Sequence, residues 1–144
     1  MTILNDPLLM IGVQSQKLFV IARTVLEVHG EKSWIPIPGT RQELPGVVGW
    51  GRRAVALLDL ARVFPGLRAL APGERRQRTL LLQVGESNLA VPADSVSSVL
   101  DIDTSAVRRR ALTEFPLCRN EVHLEGAVLP LLDPTMLFAL AGAE

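Results

Sequence analysis

The sequence predicts an all-β protein made of two related units, and three observations carry that prediction. Short apolar runs alternate with turn signals along the whole 144-residue chain, and no long amphipathic helical pattern interrupts them. Segments also recur in order. AVALLDLARVF at 54–64 returns as VLPLLDPTMLF at 128–138, and LFVIARTVLEV at 18–28 returns as LAVPADSVSSV at 89–99. Offsets of about 70 residues with small indels mark a duplicated structural unit. The composition is 48% apolar with four Phe, two Trp and no Tyr, so the core is expected to be aliphatic. Valine and leucine suit half-buried strands. Units of about 70 residues are marginal alone, so the halves are expected to share a core.

Leu8–Val13 and Lys17–Ile21 flank Gln14-Ser15-Gln16 and read as an opening hairpin. Ala22–Leu26 suits one helical turn, followed by a short strand over Leu26–Gly30. Glu31 to Pro45 holds three prolines and a glycine, and Ile35-Pro36-Ile37-Pro38 must be extended because proline restricts its own and its neighbour's dihedrals. This stretch is expected to be a long ordered surface loop, a common seat of function on a β scaffold. Gly46–Trp50 and Arg53–Asp59 flank Gly51-Arg52, a two-residue loop with glycine first, which is the type II′ hairpin signature.

The second half repeats this plan. Thr79–Val84 turns through Gly85-Glu86-Ser87-Asn88 into Leu89–Val91, and Val122–Leu124 and Ala127–Asp133 flank Glu125-Gly126. Asp59 and Asp133 each end a strand and are positioned to cap short helices over Leu60–Phe64 and Pro134–Leu140. Pro134 falls where its missing N–H costs nothing. PGLRALAPGERRQ at 65–77, with its glycine breaks and charge run, reads as the connection between copies. The expected organisation is a single domain over 1–144, with subdomain one at about 8–66, a linker at about 67–78 and subdomain two at about 79–140.

The chemistry available is thin. Fifteen basic and fifteen acidic residues leave no global field for nucleic acid or an anionic membrane, so no nucleic-acid partner is expected. Arg75-Arg76 with Arg78, and Arg108-Arg109-Arg110 after an expected turn at Thr104-Ser105, read as solvated faces or rim contacts for an acidic partner. Cys118 excludes an internal disulfide and, after Phe115-Pro116-Leu117, reads as a small buried hydrophobe. His29 and His123 lie at ligand spacing neither from each other nor from Cys118, so they read as partly exposed strand-end residues. No phosphate-binding glycine loop or nucleophile elbow is present. The expectation is no catalysis, no metal, no cofactor and no direct membrane insertion, in a soluble cytoplasmic protein. Recognition surfaces remain: Trp34 suits an interface or a core equally, and Trp50, aligned with Leu124, a core or groove position.

At this point the chain resembles the CheW family of chemotaxis coupling proteins. Gly46-Val47-Val48-Gly49-Trp50-Gly51-Arg52-Arg53-Ala54-Val55-Ala56-Leu57-Leu58-Asp59-Leu60 is similar to the family's central hairpin, and Val25-Leu26-Glu27-Val28 to its V-x-E-V element. The resemblance runs from about Leu9 to Leu140. It implies two intertwined SH3-like five-stranded β-barrels with short helices and an apolar seam. It also implies a non-catalytic adaptor that joins the regulatory domain of a CheA-type histidine kinase to the cytoplasmic tip of methyl-accepting chemoreceptors, in arrays at the inner membrane. Glu27, Val28, Gly46 and Val47 match family positions near partner surfaces, and Arg52 is carried with them as a partner-binding residue. The family's Asn-Leu-Arg-Gly stands here as Gly49-Trp50-Gly51-Arg52, so the arginine is displaced by one position and Arg52 or Arg53 is expected to meet the partner's carboxylate. That displaced tip also admits a second reading, a diverged accessory scaffold of another chemosensory pathway, such as one governing pili or development.

Overall fold

Strand pairing cuts across the two halves of the chain. The computed structural model describes residues 6–101, 106–109 and 117–142; the turn at Thr104-Ser105, Arg110 and Phe115-Pro116 lie outside the described residues. β1 (Leu8–Val13) and β2 (Gln16–Ile21) form the opening hairpin, and a 3-10 turn over Ala22–Thr24 leads into β3 (Val25–His29). β4 (Trp34–Pro36), β5 (Gly46–Trp50) and β6 (Arg53–Leu57) follow, then a 3-10 turn at Leu60–Arg62. The second half runs β7 (Arg78–Val84), β8 (Ser87–Ala93), β9 (Ser95–Leu100), β10 (Val107–Arg109), β11 (Asn120–Leu124), β12 (Ala127–Leu131) and α1 (Pro134–Gly142). One sheet has the order β3-β7-β8-β6-β5-β4 and the other β9-β1-β2-β12-β11-β10. Each half therefore gives its first hairpin to the other half's sheet.

The two orders are the same list under the repeat, with β8 parallel to β6 in one sheet and β2 parallel to β12 in the other. Each sheet has six strands, the sixth being a three-residue edge ribbon, β4 or β10. β4 sits inside the stretch expected as loop: Trp34 pairs with Val48 and Pro36 with Gly46. Both sheets curl on themselves. Glu27 on β3 touches Trp50 on β5 although three strands separate them in sheet order. Leu100 on β9 and Leu124 on β11 likewise pack on one cluster from opposite parts of the other sheet.

Alternation in the exchanged hairpins explains their unbroken apolar runs. Leu18 and Val20 on β2 and Leu80, Leu82, Leu89 and Val91 on β7 and β8 face a seam shared by the two barrels. Their neighbours Phe19 and Ile21 fill one barrel, while Leu81 and Ala90 fill the other. Successive strand residues point to opposite faces, so a strand buried on both must be apolar throughout. Each such leucine contributes about 1.5–3 kcal/mol on burial.

Asp59 and Asp133 are buried caps. Asp59 Oδ1 accepts from Ala61 N at 3.1 Å, and Asp133 Oδ1 accepts from Thr135 N at 2.8 Å. Residues 65–77 form an anchored strap that touches both barrels. Leu70 is buried beside Trp34, and its N–H donates to Asp59 Oδ2 at 2.9 Å. Gln14 at the β1–β2 turn clasps Arg68, accepting from its N–H at 3.0 Å and donating to its C=O at 2.8 Å. Arg76, expected on a solvated face, instead lies inward with Nη1 at 3.4 Å from Asp94.

Candidate functional site

Of the expected site residues, Glu27 on β3 meets the β5–β6 tip through Trp50, two residues from Arg52, whereas Gly46 and Val47 lie at the opposite end of β5. Gly51 has φ +63° while Arg52 keeps a negative φ, the sign pattern of the II′ turn that glycine-first loops predict. The matching tip in the second half, Glu125-Gly126, has φ +48° and +81°, the I′ pattern. The two hairpins therefore hold the same register with different turn geometry. Arg52 stands at the tip and makes no hydrogen bond or ion pair with the described residues. Arg53 is committed, its Nη2 donating to Asn88 Oδ1 at 2.9 Å. Of the two arginines, Arg52 is the one available to a partner.

Gly46 and Val47 begin β5. A Cβ on Gly46 would lie 2.1 Å from Ile35 O and 2.7 Å from the Trp34 ring, so the glycine is required for β4 to approach β5. Its contribution is to the shape of the proline segment rather than a side-chain contact. Val47 points the other way from Val48 and Trp50, onto the outer face. There it lines a groove of about 390 Å³ with Arg53, Ala54, Ala56, Asn88 and Leu89. Ile35, its cross-strand neighbour on β4, is exposed beside it.

Glu27 and Val28 lie on β3, whose far edge is unpaired. A register shift between Val25 and Glu27 against β7 accompanies Leu26, which is exposed, and Val28 is 44% exposed. The repeat places Val99 on β9, the edge strand of the other sheet among the described residues, at 55% exposure. An edge strand with an exposed valine is thus common to both units among the described residues.

Sequence reasoning missed how Glu27 is held. Its Oε1 lies 2.7 Å from His29 Nε2 and accepts from Trp50 Nε1 at 3.2 Å. A carboxylate only accepts, so His29 Nε2 carries a proton in this arrangement. The His29 and Trp50 rings meet edge to face with centroids 4.8 Å apart, and Lys32 Nζ lies 4.5 Å over the indole. These bonds, His29 first, hold the Glu27 carboxyl below its ordinary value. The signal was visible only as i,i+2 spacing of Glu27 and His29 on one strand face; the Trp50 contact depends on barrel closure. Trp34 is core: it is buried, and its Nε1 donates to Glu74 O at 2.9 Å.

Among the described residues no group of three His, Cys, Asp or Glu converges as a metal site, and no helix is long and apolar enough to cross a membrane. What the molecule presents is strand edges, a groove of mixed polar and apolar lining, and a carboxylate held by two donors on a double barrel, the make-up of an adaptor or scaffold. The profile of the CheW-like domain matches residues 7–142, and the chain belongs to the CheW-like domain family. The fold is similar to that of the scaffolding protein TtCheW from Thermoanaerobacter tengcongensis, with TM-score 0.75, 15% identity, and 90% of each chain covered.

Proposed function

We propose that this chain is a non-catalytic chemotaxis adaptor that couples the regulatory domain of a CheA-type histidine kinase to the cytoplasmic tip of a methyl-accepting chemoreceptor. The observation that carries the reading is a set of surface features on one barrel: the exposed Val28 edge, the Val47 groove, the Glu27 carboxylate held by His29 and Trp50, and the unengaged Arg52. Apolar surface with a carboxylate and an arginine on the same barrel suits a protein partner with complementary charge. Interfaces built on a strand edge and a shallow groove are individually modest, and repeated contacts in an array add avidity.

The test is Val47→Glu. Because Val47 is half-buried on the outer face, the variant should lose binding to the purified regulatory domain while its stability changes by less than about 1.5 kcal/mol. Titration calorimetry and urea unfolding read the two quantities separately. Absence of association between the native chain and the regulatory domain at high micromolar concentration refutes the proposal.

A second reading is favoured by one feature, the Gly49-Trp50-Gly51-Arg52 tip, where Trp50 engages Glu27. In this reading the chain is a diverged accessory scaffold of another chemosensory pathway with altered receptor binding. Complementation of a coupling-protein deletion separates the two: a rewired scaffold does not restore receptor control, and an ordinary coupling protein does.

A further inference from the structure

We propose that Trp50 and His29 are positioning residues that lock the Glu27 side chain so that its second oxygen, Oε2, receives one N–H from a cationic side chain of the partner protein. The inference rests on the reading that this barrel faces a partner, and it adds the chemistry by which that partner is met.

A glutamate on a free strand edge ordinarily samples several rotamers, and fixing such a side chain on binding costs up to about 2 kcal/mol. Here the fixing is done within the free protein. His29 stands two residues along β3, on the same face as Glu27. Trp50 comes from the far side of the curled sheet, and both place their N–H on Oε1. An oxygen with two donors has its lone pairs occupied, whereas Oε2 accepts nothing from the described residues. Glu27 and His29 remain about half exposed, so the open oxygen is reachable from solvent. Opposite Glu27 on β7 stands Leu81, which brings no charge.

This arrangement discriminates between partner groups. A guanidinium fork needs both carboxylate oxygens for its two parallel bonds. With Oε1 occupied, the site receives a single N–H, the geometry of an ammonium or of one arginine nitrogen. The chain's own Lys32 ammonium stands over the Trp50 ring and its charge already acts on Glu27, so a partner's N–H must reach Oε2 alongside that cation. Trp50 stands where the family pattern carries leucine, and leucine has no N–H to give. The lock therefore belongs to this chain's own hairpin.

The test has two arms. In the free protein, carbon-detected NMR titration of the Glu27 carboxyl should show its midpoint moving upward in Trp50→Phe, which keeps a ring and removes the donor, and again in His29→Ala. An unmoved midpoint in both variants overturns the proposal. In the complex, Trp50→Phe should weaken binding to the kinase regulatory domain or to the receptor tip about fivefold in the native background. It should have no effect in the Glu27→Gln background. Equal losses in the two backgrounds overturn the proposal, because Trp50 then acts without Glu27. Native-like binding of Glu27→Gln to both partners overturns it as well, whereas failure of the native chain to bind either partner refutes the adaptor reading and leaves the titration to judge the lock.

Discussion

Replacing Asp59 by alanine should destabilise this protein more than the same change at its repeat mate Asp133. Asp59 is 1% exposed and serves three donors: Ala61 N at 3.1 Å, Leu70 N at 2.9 Å and Arg62 Nε at 3.1 Å. Loss of the cap costs about 1 kcal/mol, within a range of roughly 0.5–2. The Leu70 N–H is left buried and unpaired, which costs about 1–3 kcal/mol more. Arg62 is partly exposed, and water offsets most of its loss. The total is about 2–4 kcal/mol. Asp133 gives one cap bond, to Thr135 N, and pairs with the half-exposed Arg119 at 3.4 Å, so Asp133→Ala should cost about 1–2 kcal/mol. In urea, with a slope of about 2 kcal/mol per molar, the midpoint should fall by about 1–2 M for Asp59→Ala and by about half that for Asp133→Ala. Hydrogen exchange at Leu70 should accelerate in the first variant alone. Equal midpoint shifts, or an unchanged Leu70 amide, refute the idea that Asp59 ties the strap to the barrel.

The other expectations concern aromatic burial and acid. Phe64 and Phe138 occupy one repeat position but are 2% and 51% exposed, so Phe64→Ala should cost about 3–5 kcal/mol and Phe138→Ala less than about 1, as thermal unfolding would report. Glu74 accepts from Ala71 N and from Arg68, which hold its carboxyl below the ordinary value of 4.5. A depressed carboxyl stabilises the fold above its unfolded value, and that contribution is lost as pH falls through the folded value. Strap docking should therefore weaken below about pH 4.5, visible in Trp34 fluorescence because its indole N–H donates to Glu74 O. Glu74→Gln should flatten that acid limb, and an unchanged limb refutes the assignment.

Much of the fold was legible because the signals are local. The 18–28 and 89–99 copies place β2–β3 and β8–β9, and Gly51-Arg52 fixes a hairpin that forms with the expected sign of φ. Asp59 and Asp133 read as caps because capping depends on the next two residues. What stayed hidden depends on partners far along the chain. The strap 65–77 reads as a linker by composition, yet its anchors are Gln14, Trp34, Asp59 and Asp94. Trp34 could not be placed because its hydrogen-bond partner is Glu74. At the candidate site, Val28 and Val47 were named only through the family resemblance, while Trp50's grip on Glu27 exists only once the sheet curls. The Phe64 and Phe138 pair shows the limit of repeat logic: identical motifs inherit position, but burial is set by what packs above.

The exchange of first hairpins has a consequence for how such a molecule can change. Two separate copies of a single unit trading β1–β2 for β7–β8 would make the same contacts, so the chain is in effect a swapped dimer written on one polypeptide. In a true swapped dimer both subunits carry one sequence, and every surface appears twice. Fusion removes that constraint. The seam must still satisfy both units and so holds leucine and valine on each side, but the tips, edges and outward aromatic positions are free to differ between barrels. One core, kept symmetrical, can thereby present two unlike faces at a fixed angle.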